Sequence, residues 1–282
     1  MADVRERAKL GSMRPVILAF ALLASCSEQT ATSNGAETVE EPAANAAVPP
    51  TAPAPTAKAF SVSEENDLYE FEYGWSAEAA AVPQLDGRFR KDMERAKAEL
   101  ISGAKEDRDE RVKQGYDYHP HATHMSYETA GQSEQLLSLE RTVYGFTGGA
   151  HGSTGSGSIL WDRRSAREVS IQDLLQQGQS WTGAIRQPFC LLLNREREKR
   201  REEPVKPDDL FGNCPEMKEV TVLLSDTDKN GRFDHITVIA DQYVAGPYAE
   251  GPYEISLPIT ARMIDRVKPE YASSFEPRPP VQ

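Results

Sequence analysis

Residues 226–234 carry oxygen-bearing side chains at the alternating positions that calcium loops use. Gly231 allows the sharp turn that such a loop needs. Position twelve is Thr237, where an EF-hand has a bidentate glutamate, and the flanking residues have the pattern of strands. We therefore expect a weak Ca²⁺ site, and the alternative is an Asn-Gly hairpin turn whose carboxylates face water. The expected ligands are Asp226, Asp228, Asn230, Arg232 (through its carbonyl) and Asp234.

A glycine-rich segment, Gly148-Gly149-Ala-His151-Gly152, could bring a ligand close to the backbone. In this interpretation His151 is a polar contact or a proton-transfer group. The alternative is a tight crossover between strands that a hydrogen bond from His151 holds in place.

Three tyrosines, Tyr243, Tyr248 and Tyr253, alternate with Pro247 and Pro252. They could form an aromatic binding ridge, or they could pack a rigid loop against the core.

His119, His121 and His124 lie close together around Pro120. Two of them on one strand face could hold a metal ion, but no cysteine or acidic ligand lies at a typical zinc spacing. A surface cluster at the start of a strand is the alternative that we favour.

Cys26 follows Leu23-Ala-Ser and a short apolar run that begins at Val16, with Arg14 before it. The run is too short to span a bilayer and has the length of a signal-peptide core. We therefore interpret residues 1–25 as a lipoprotein signal peptide and Cys26 as the lipidated residue. The expected location is the periplasmic face of a bacterial membrane, and Ser27 after the cysteine favours the outer membrane.

Cys190 and Cys214 remain as a pair once Cys26 carries lipid. In an oxidising compartment we expect a disulfide that stabilises the fold by roughly 3 kcal/mol, and the alternative is two buried thiols.

Charge and composition restrict the partners. The formal net charge is −12, and cleavage before Cys26 would remove four basic and two acidic residues. An acidic surface disfavours nucleic acid and anionic lipids and favours a cationic partner. Residues 26–59 are rich in Ala, Pro and Thr, so we expect a disordered tether there.

Hydrophobic periodicity then gives the elements that must position these residues. We predict helices at 85–104, 181–200 (kinked at Pro188) and 260–267. We predict strands at 67–73, 121–128, 134–146, 158–161, 220–224, 233–240 and 252–257. This arrangement favours an α+β fold in which two antiparallel-sheet-plus-helix subdomains pack into one module.

Two segments resemble a known family. Residues 137–152 (LSLERTVYGFTGGAHG) and 243–251 (YVAGPYAEG) are similar to the extracytoplasmic module of the anti-sigma factor RsiV, which also occurs at the N-terminal side of the peptidoglycan deacetylase PdaC. The resemblance implies a PdaC-like subdomain at 60–150, an RsiV C-terminal-like subdomain at 151–271 and a flexible tail at 272–282.

The resemblance also implies a binding role in the cell envelope. In RsiV the module senses lysozyme by binding it, whereas in PdaC it accompanies deacetylation without performing it. We therefore expect a lipid-anchored module that binds a peptidoglycan-related glycan or a cationic protein such as lysozyme. The alternative is a cell-wall hydrolase or deacetylase that uses His151.

Overall fold

The computed structural model describes residues 57–281. The strands are β1 Phe60–Glu65, β2 Tyr69–Trp75, β3 His121–Gln132, β4 Leu136–Phe146, β5 Ser153–Asp162, β6 Arg167–Val169, β7 Thr221–Ser225, β8 His235–Ala240 and β9 Tyr253–Pro258. The helices are α1 Ala77–Ala80, α2 Pro83–Gln114, α3 Thr182–Arg201 and α4 Ala261–Ile264, with 3₁₀ turns at Ile171–Leu174, Tyr248–Glu250 and Pro269–Ser274. Within this range, none of the helices combines the length and apolar character that a membrane span needs.

Strands β1 to β6 form one sheet in chain order, and β7 to β9 form a second, antiparallel sheet. The predicted α+β class is confirmed. One pair departs from the antiparallel pattern, because β2 and β3 run parallel. Helix α2 lies between these two strands and returns the chain to the same end of the sheet, which a parallel pair requires.

Helix α2 covers one face of the six-stranded sheet. Its buried residues include Leu85, Phe89 and Leu100, and the Phe89 ring stacks on Tyr127 of β3 at 3.9 Å between centroids. The helix continues past the predicted end near Gly103 and stops at Gly115, which has the left-handed φ of 75°. A single interior glycine costs only about 1 kcal/mol, and the helix-forming residues around it outweigh this cost.

Helix α3 packs on the second sheet through Trp181, Ile185, Phe189 and Leu193, all of them buried. The predicted disulfide is present: Cys190 in α3 bonds to Cys214, with Cα atoms 5.5 Å apart. It joins the middle of the helix to the segment that leads into β7.

Two predicted boundaries differ from the structure. Residue 150 lies between β4 and β5, which pair along their length, so the expected division there passes through one sheet. Residues after 271 are not a free tail, because Phe275 is 4% exposed and the Glu276 amide donates to the Phe233 carbonyl. Apolar burial of Phe275 holds this segment on the core. The predicted signal peptide, Cys26 and most of the tether lie outside the described residues.

Candidate functional site

The two loops singled out in the sequence meet in space. The His151 ring stacks on Tyr248 with centroids 3.8 Å apart and 22° between the planes. Its Nδ1 donates to the Gly152 carbonyl at 2.8 Å, which leaves Nε2 to accept from the Tyr243 hydroxyl at 3.4 Å. We call His151, Tyr243 and Tyr248 the aromatic cluster.

Close packing fixes the glycine loop. Gly148 and Gly149 have φ values of 88° and 106°, which residues with a Cβ rarely adopt. A Cβ on Gly152 would lie 2.3 Å from the Tyr144 ring. The loop therefore needs glycine for its shape, and Tyr144 of β4 supports the side of the loop that presents His151.

The second loop holds an aromatic side chain in water. Tyr243 has a φ of 67°, an unusual value for a residue with a Cβ, and it is 53% exposed. Its amide donates to the Gly246 carbonyl, and Glu250 at the far side of the loop pairs with Arg201 at 2.9 Å. Strained backbone that neighbours hold in place is common at functional sites.

Tyr253 does not belong to the cluster. Its side chain is buried, its hydroxyl donates to Glu250, and the Arg200 guanidinium lies 4.0 Å from its ring centroid. Burial, followed by the hydrogen bond to Glu250, raises its pKa to about 12. The expectation that Tyr253 binds a ligand is therefore wrong, because strand alternation turns it into the core.

Next to the cluster, the strand register collects carboxylates on the sheet face opposite α2. Glu128 pairs with Glu140 across β3 and β4, and Glu72 lies level with His124 across β2 and β3. We call Glu70, Glu72, Glu128 and Glu140 the acidic face. A groove of about 620 Å³ crosses this face from β1 to Tyr144 and Thr154.

Glu140 is the residue of the acidic face whose pKa is clearly raised above its usual range. It is half-buried, and burial raises its pKa; the neighbouring Glu254, Asp241 and Glu128 raise it further. Asp241 also accepts from the amide and hydroxyl of Ser156 at 2.9 and 2.6 Å. The acidic face therefore carries an excess of negative charge that a cation would stabilise.

The three histidines are not a metal site. His121 is buried, and its Nε2 lies 3.1 Å from Oδ2 of Asp107 in α2. The Nε2 of His124 lies 3.1 Å from Oε1 of Glu70 on the acidic face. Since 121 and 124 differ by an odd number, the side chains point to opposite faces of β3.

The acidic loop gathers a set of carboxylates different from the predicted one. Asp226 accepts from the amides of Asn230 and Gly231 at 3.1 and 2.9 Å and so closes the turn. Asp228, Asp234 and Glu276 come close enough together to share a cation, but the Arg278 guanidinium lies among all three. Calcium binding here stays a prediction, and it requires Arg278 to move.

Sequence reasoning missed several of these residues. Glu128, Glu140 and Tyr144 gain their importance from cross-strand register, and the alternation of Glu70 and Glu72 with apolar residues was the one local signal of an acidic face. Glu276 and Arg278 lie in the segment that was expected to be a tail.

Comparison with known proteins finds one family model that matches part of the chain. Residues 62–154 match the family model described as "Deacetylase PdaC". The match includes the Gly148–Gly152 loop and stops before Tyr243.

Among solved structures, a DUF3298 family protein from Pseudomonas aeruginosa PAO1 has 21% identity and a TM-score of 0.46, covering 79% of this chain and 98% of that one. A DUF3298 member from Bacteroides fragilis NCTC 9343 has 16% identity and a TM-score of 0.47, covering 77% and 95%. No curated protein matches the chain by sequence. Over residues 62–154 this chain is therefore similar in sequence to the PdaC family model.

Proposed function

We propose that this protein is a lipid-anchored binding module of the bacterial cell envelope. Its ligand in this proposal is a cationic protein such as lysozyme, and a peptidoglycan-related glycan is the second candidate. The observation that carries the proposal is the position of the aromatic cluster beside the acidic face. The exposed Tyr243 and the carboxylates of the acidic face lie next to each other, where one ligand can contact both.

The charge distribution favours the cationic protein. Glu140 lies near Glu128, Asp241 and Glu254, so a lysine or arginine placed among them relieves repulsion between like charges. The exposed Tyr243 ring offers the same ligand a cation–π contact. The chain's net charge of −12 adds attraction at long range, which salt screens.

The aromatic cluster favours the glycan as the second candidate. A sugar ring has apolar faces that pack on exposed aromatic rings, and Tyr243 and Tyr248 present two rings with centroids 6.0 Å apart. The hydroxyls of Ser126, Thr142 and Thr154 line the adjacent groove and supply hydrogen-bond partners.

Binding of the purified full chain to hen lysozyme and to soluble peptidoglycan fragments, measured by calorimetry, tests the proposal. We expect lysozyme to bind and to bind more weakly as salt is raised. Tyr243→Ala should weaken lysozyme binding about tenfold, which is typical of the loss of a central aromatic contact. Glu140→Gln should weaken the binding of lysozyme but not the binding of the glycan. Glu99→Gln, on the exposed side of α2, is the control and should change the binding of neither ligand. If neither ligand binds, the proposal fails.

The enzymatic alternative needs a partner for His151. Within residues 57–281, His151 hydrogen-bonds to the Gly152 carbonyl and the Tyr243 hydroxyl, and no aspartate, glutamate or serine side chain donates to it or accepts from it. Release of reducing sugar or acetate from peptidoglycan that disappears in His151→Ala would nevertheless replace the binding proposal with the enzymatic one.

The membrane anchor depends on Cys26, which lies outside the described residues. We propose attachment at the periplasmic face of the outer membrane through lipid on this cysteine. Cys26→Ala should abolish radiolabelled palmitate incorporation and leave an unprocessed or soluble precursor. A variant that still fractionates with membranes at the wild-type size would contradict the anchor.

A further inference from the structure

Strand β1 forms one edge of the six-stranded sheet. Within the described residues its backbone pairs with β2 alone, and none of its amides or carbonyls takes part in the backbone hydrogen bonds of loops or turns. In a strand, the backbone groups of alternate residues point to each side. Half of the β1 backbone groups therefore face away from the sheet.

This edge lacks proline, lysine and a β-bulge, which are three of the features that usually protect an edge strand, and its charged residues are Glu64 and Glu65. Residues 60–65 read FSVSEE, with no proline and no lysine, and the register with β2 continues from Phe60–Trp75 to Glu65–Glu70 without a bulge. Natural sheets use such residues and bulges to prevent another strand from pairing. The opposite edge strand, β6, has only three residues.

Contacts on the α2 side hold β1 in place. The Phe60 ring stacks on Trp75 at 4.2 Å, Arg90 of α2 lies 4.7 Å from the Phe60 centroid, and Glu64 pairs with Lys97 of α2. Because β1 is already held in place, binding of a partner costs little entropy for ordering this strand.

The two faces beside the edge differ in chemistry. On the α2 side, Phe60 and Val62 present half-buried apolar side chains. On the other side, Ser61 and Ser63 are small and exposed. Glu70 and Glu72 of the acidic face lie on that same side, one strand further in, and a long basic side chain can reach them over the serines.

We propose that β1 is a strand-addition site that takes an extended segment of a cationic partner, with lysine or arginine at alternate positions and apolar residues between them. The basic side chains lie over Ser61 and Ser63 toward the acidic face, and the apolar ones pack beside Phe60 and Val62. Backbone hydrogen bonds provide affinity, and the alternation of side chains provides specificity. This inference rests on the proposed function, because it names the form in which a cationic ligand meets the acidic face.

Charge argues against a second copy of this chain as the occupant. Two β1 strands side by side would bring Glu64 and Glu65 of one copy near the acidic residues of the other, and like charges across strands are destabilising. Dimerisation through β1 at micromolar concentration would overturn the proposal.

The probe is a ten-residue peptide in which lysine alternates with valine or threonine, added to the full chain. We expect binding together with slower hydrogen exchange at alternate amides of residues 61–65. Methylating two adjacent central amides of the peptide keeps its charge and blocks both of its edges. Since one of the two methylated amides faces β1, this should weaken binding about fivefold, the equivalent of one lost hydrogen bond of about 1 kcal/mol.

Protein variants test whether the peptide lies along β1. Ser63→Lys adds a positive charge at an exposed position of β1 and should weaken peptide binding several-fold. Ser63→Gln adds a neutral side chain of similar length and should leave peptide binding unchanged. Equal binding of the methylated and unmethylated peptides, or unchanged exchange in β1, overturns strand addition. If lysozyme or the peptidoglycan fragments still bind in that case, the proposed function stands; if neither of them binds, the proposed function has failed as well.

Discussion

Asp234, at the start of β8, provides a stability measurement whose size the structure sets. Its side chain is fully buried, and it accepts from the Thr227 amide and hydroxyl at 2.9 and 2.6 Å and from Arg278 at 3.0 Å. Burial alone would raise its pKa, but these hydrogen bonds outweigh burial and lower the pKa from 3.8 to about 2. The carboxylate therefore joins the acidic loop to the C-terminal segment.

The sign and size of the effect follow from linkage. Because the pKa in the folded state lies below that in the unfolded state, the stabilisation is complete above pH 4 to 5 and is lost as the pH falls through 3.8 toward about 2. Each pKa unit corresponds to roughly 1.4 kcal/mol, so this carboxylate contributes about 2 kcal/mol at neutral pH.

Asp234→Asn should remove this contribution. We expect the free energy of unfolding in urea, followed by fluorescence of the three buried tryptophans, to fall by about 2 kcal/mol or more at pH 7. The difference between wild type and variant should shrink by about 2 kcal/mol between pH 7 and pH 2. Asp208→Asn, on an exposed loop, is the control and should show no such trend. A wild-type-to-variant difference that stays constant with pH would refute the reasoning.

Three further predictions concern the disulfide, the glycine loop and the acidic loop. Replacing Cys190 and Cys214 by alanine opens a crosslink over 24 residues and should lower the free energy of unfolding by about 3 kcal/mol in the chain-entropy model; a loss below 1 kcal/mol in urea titrations would contradict this. Gly152→Ala forces a Cβ against the Tyr144 ring, so it should lower the melting temperature by several degrees and weaken lysozyme binding with it; unchanged binding would separate the loop from the site. If the acidic loop binds Ca²⁺, millimolar calcium should raise the melting temperature of the wild type and not that of Asp228→Ala; no rise in the wild type leaves the hairpin turn.

Much of the fold could be predicted because the signals are local. Alternating residues such as those of β2, and the three-to-four spacing of Phe89, Met93, Ala96 and Leu100, depend on the backbone periods of strand and helix. The disulfide was predictable because one cysteine pair remained once Cys26 was set aside as the expected lipidated residue. The meeting of the glycine loop with the Tyr243 loop was not predicted, since no local signal relates residues about ninety positions apart.

Register decided what the sequence left open. The tyrosines of one loop look equivalent in the sequence, yet Tyr243 lies in solvent while Tyr253 enters the core at the start of β9. The acidic face exists because Glu128 and Glu140 come opposite each other across β3 and β4. A shift of one residue would turn each of these side chains to the other face of the sheet.

The sequence by itself therefore determined most of the secondary-structure elements, though not β1, β6 or α1, together with the α+β class, the cysteine pair and the loops worth examining. Only the tertiary structure decided that β2 and β3 run parallel, that Arg278 lies among the carboxylates of the expected calcium loop, and that β1 is left with a free edge in the described chain. These outcomes depend on contacts between residues far apart in the chain, whose formation balances loop-closure entropy against packing. A local sequence pattern does not reveal how loop-closure entropy and packing balance.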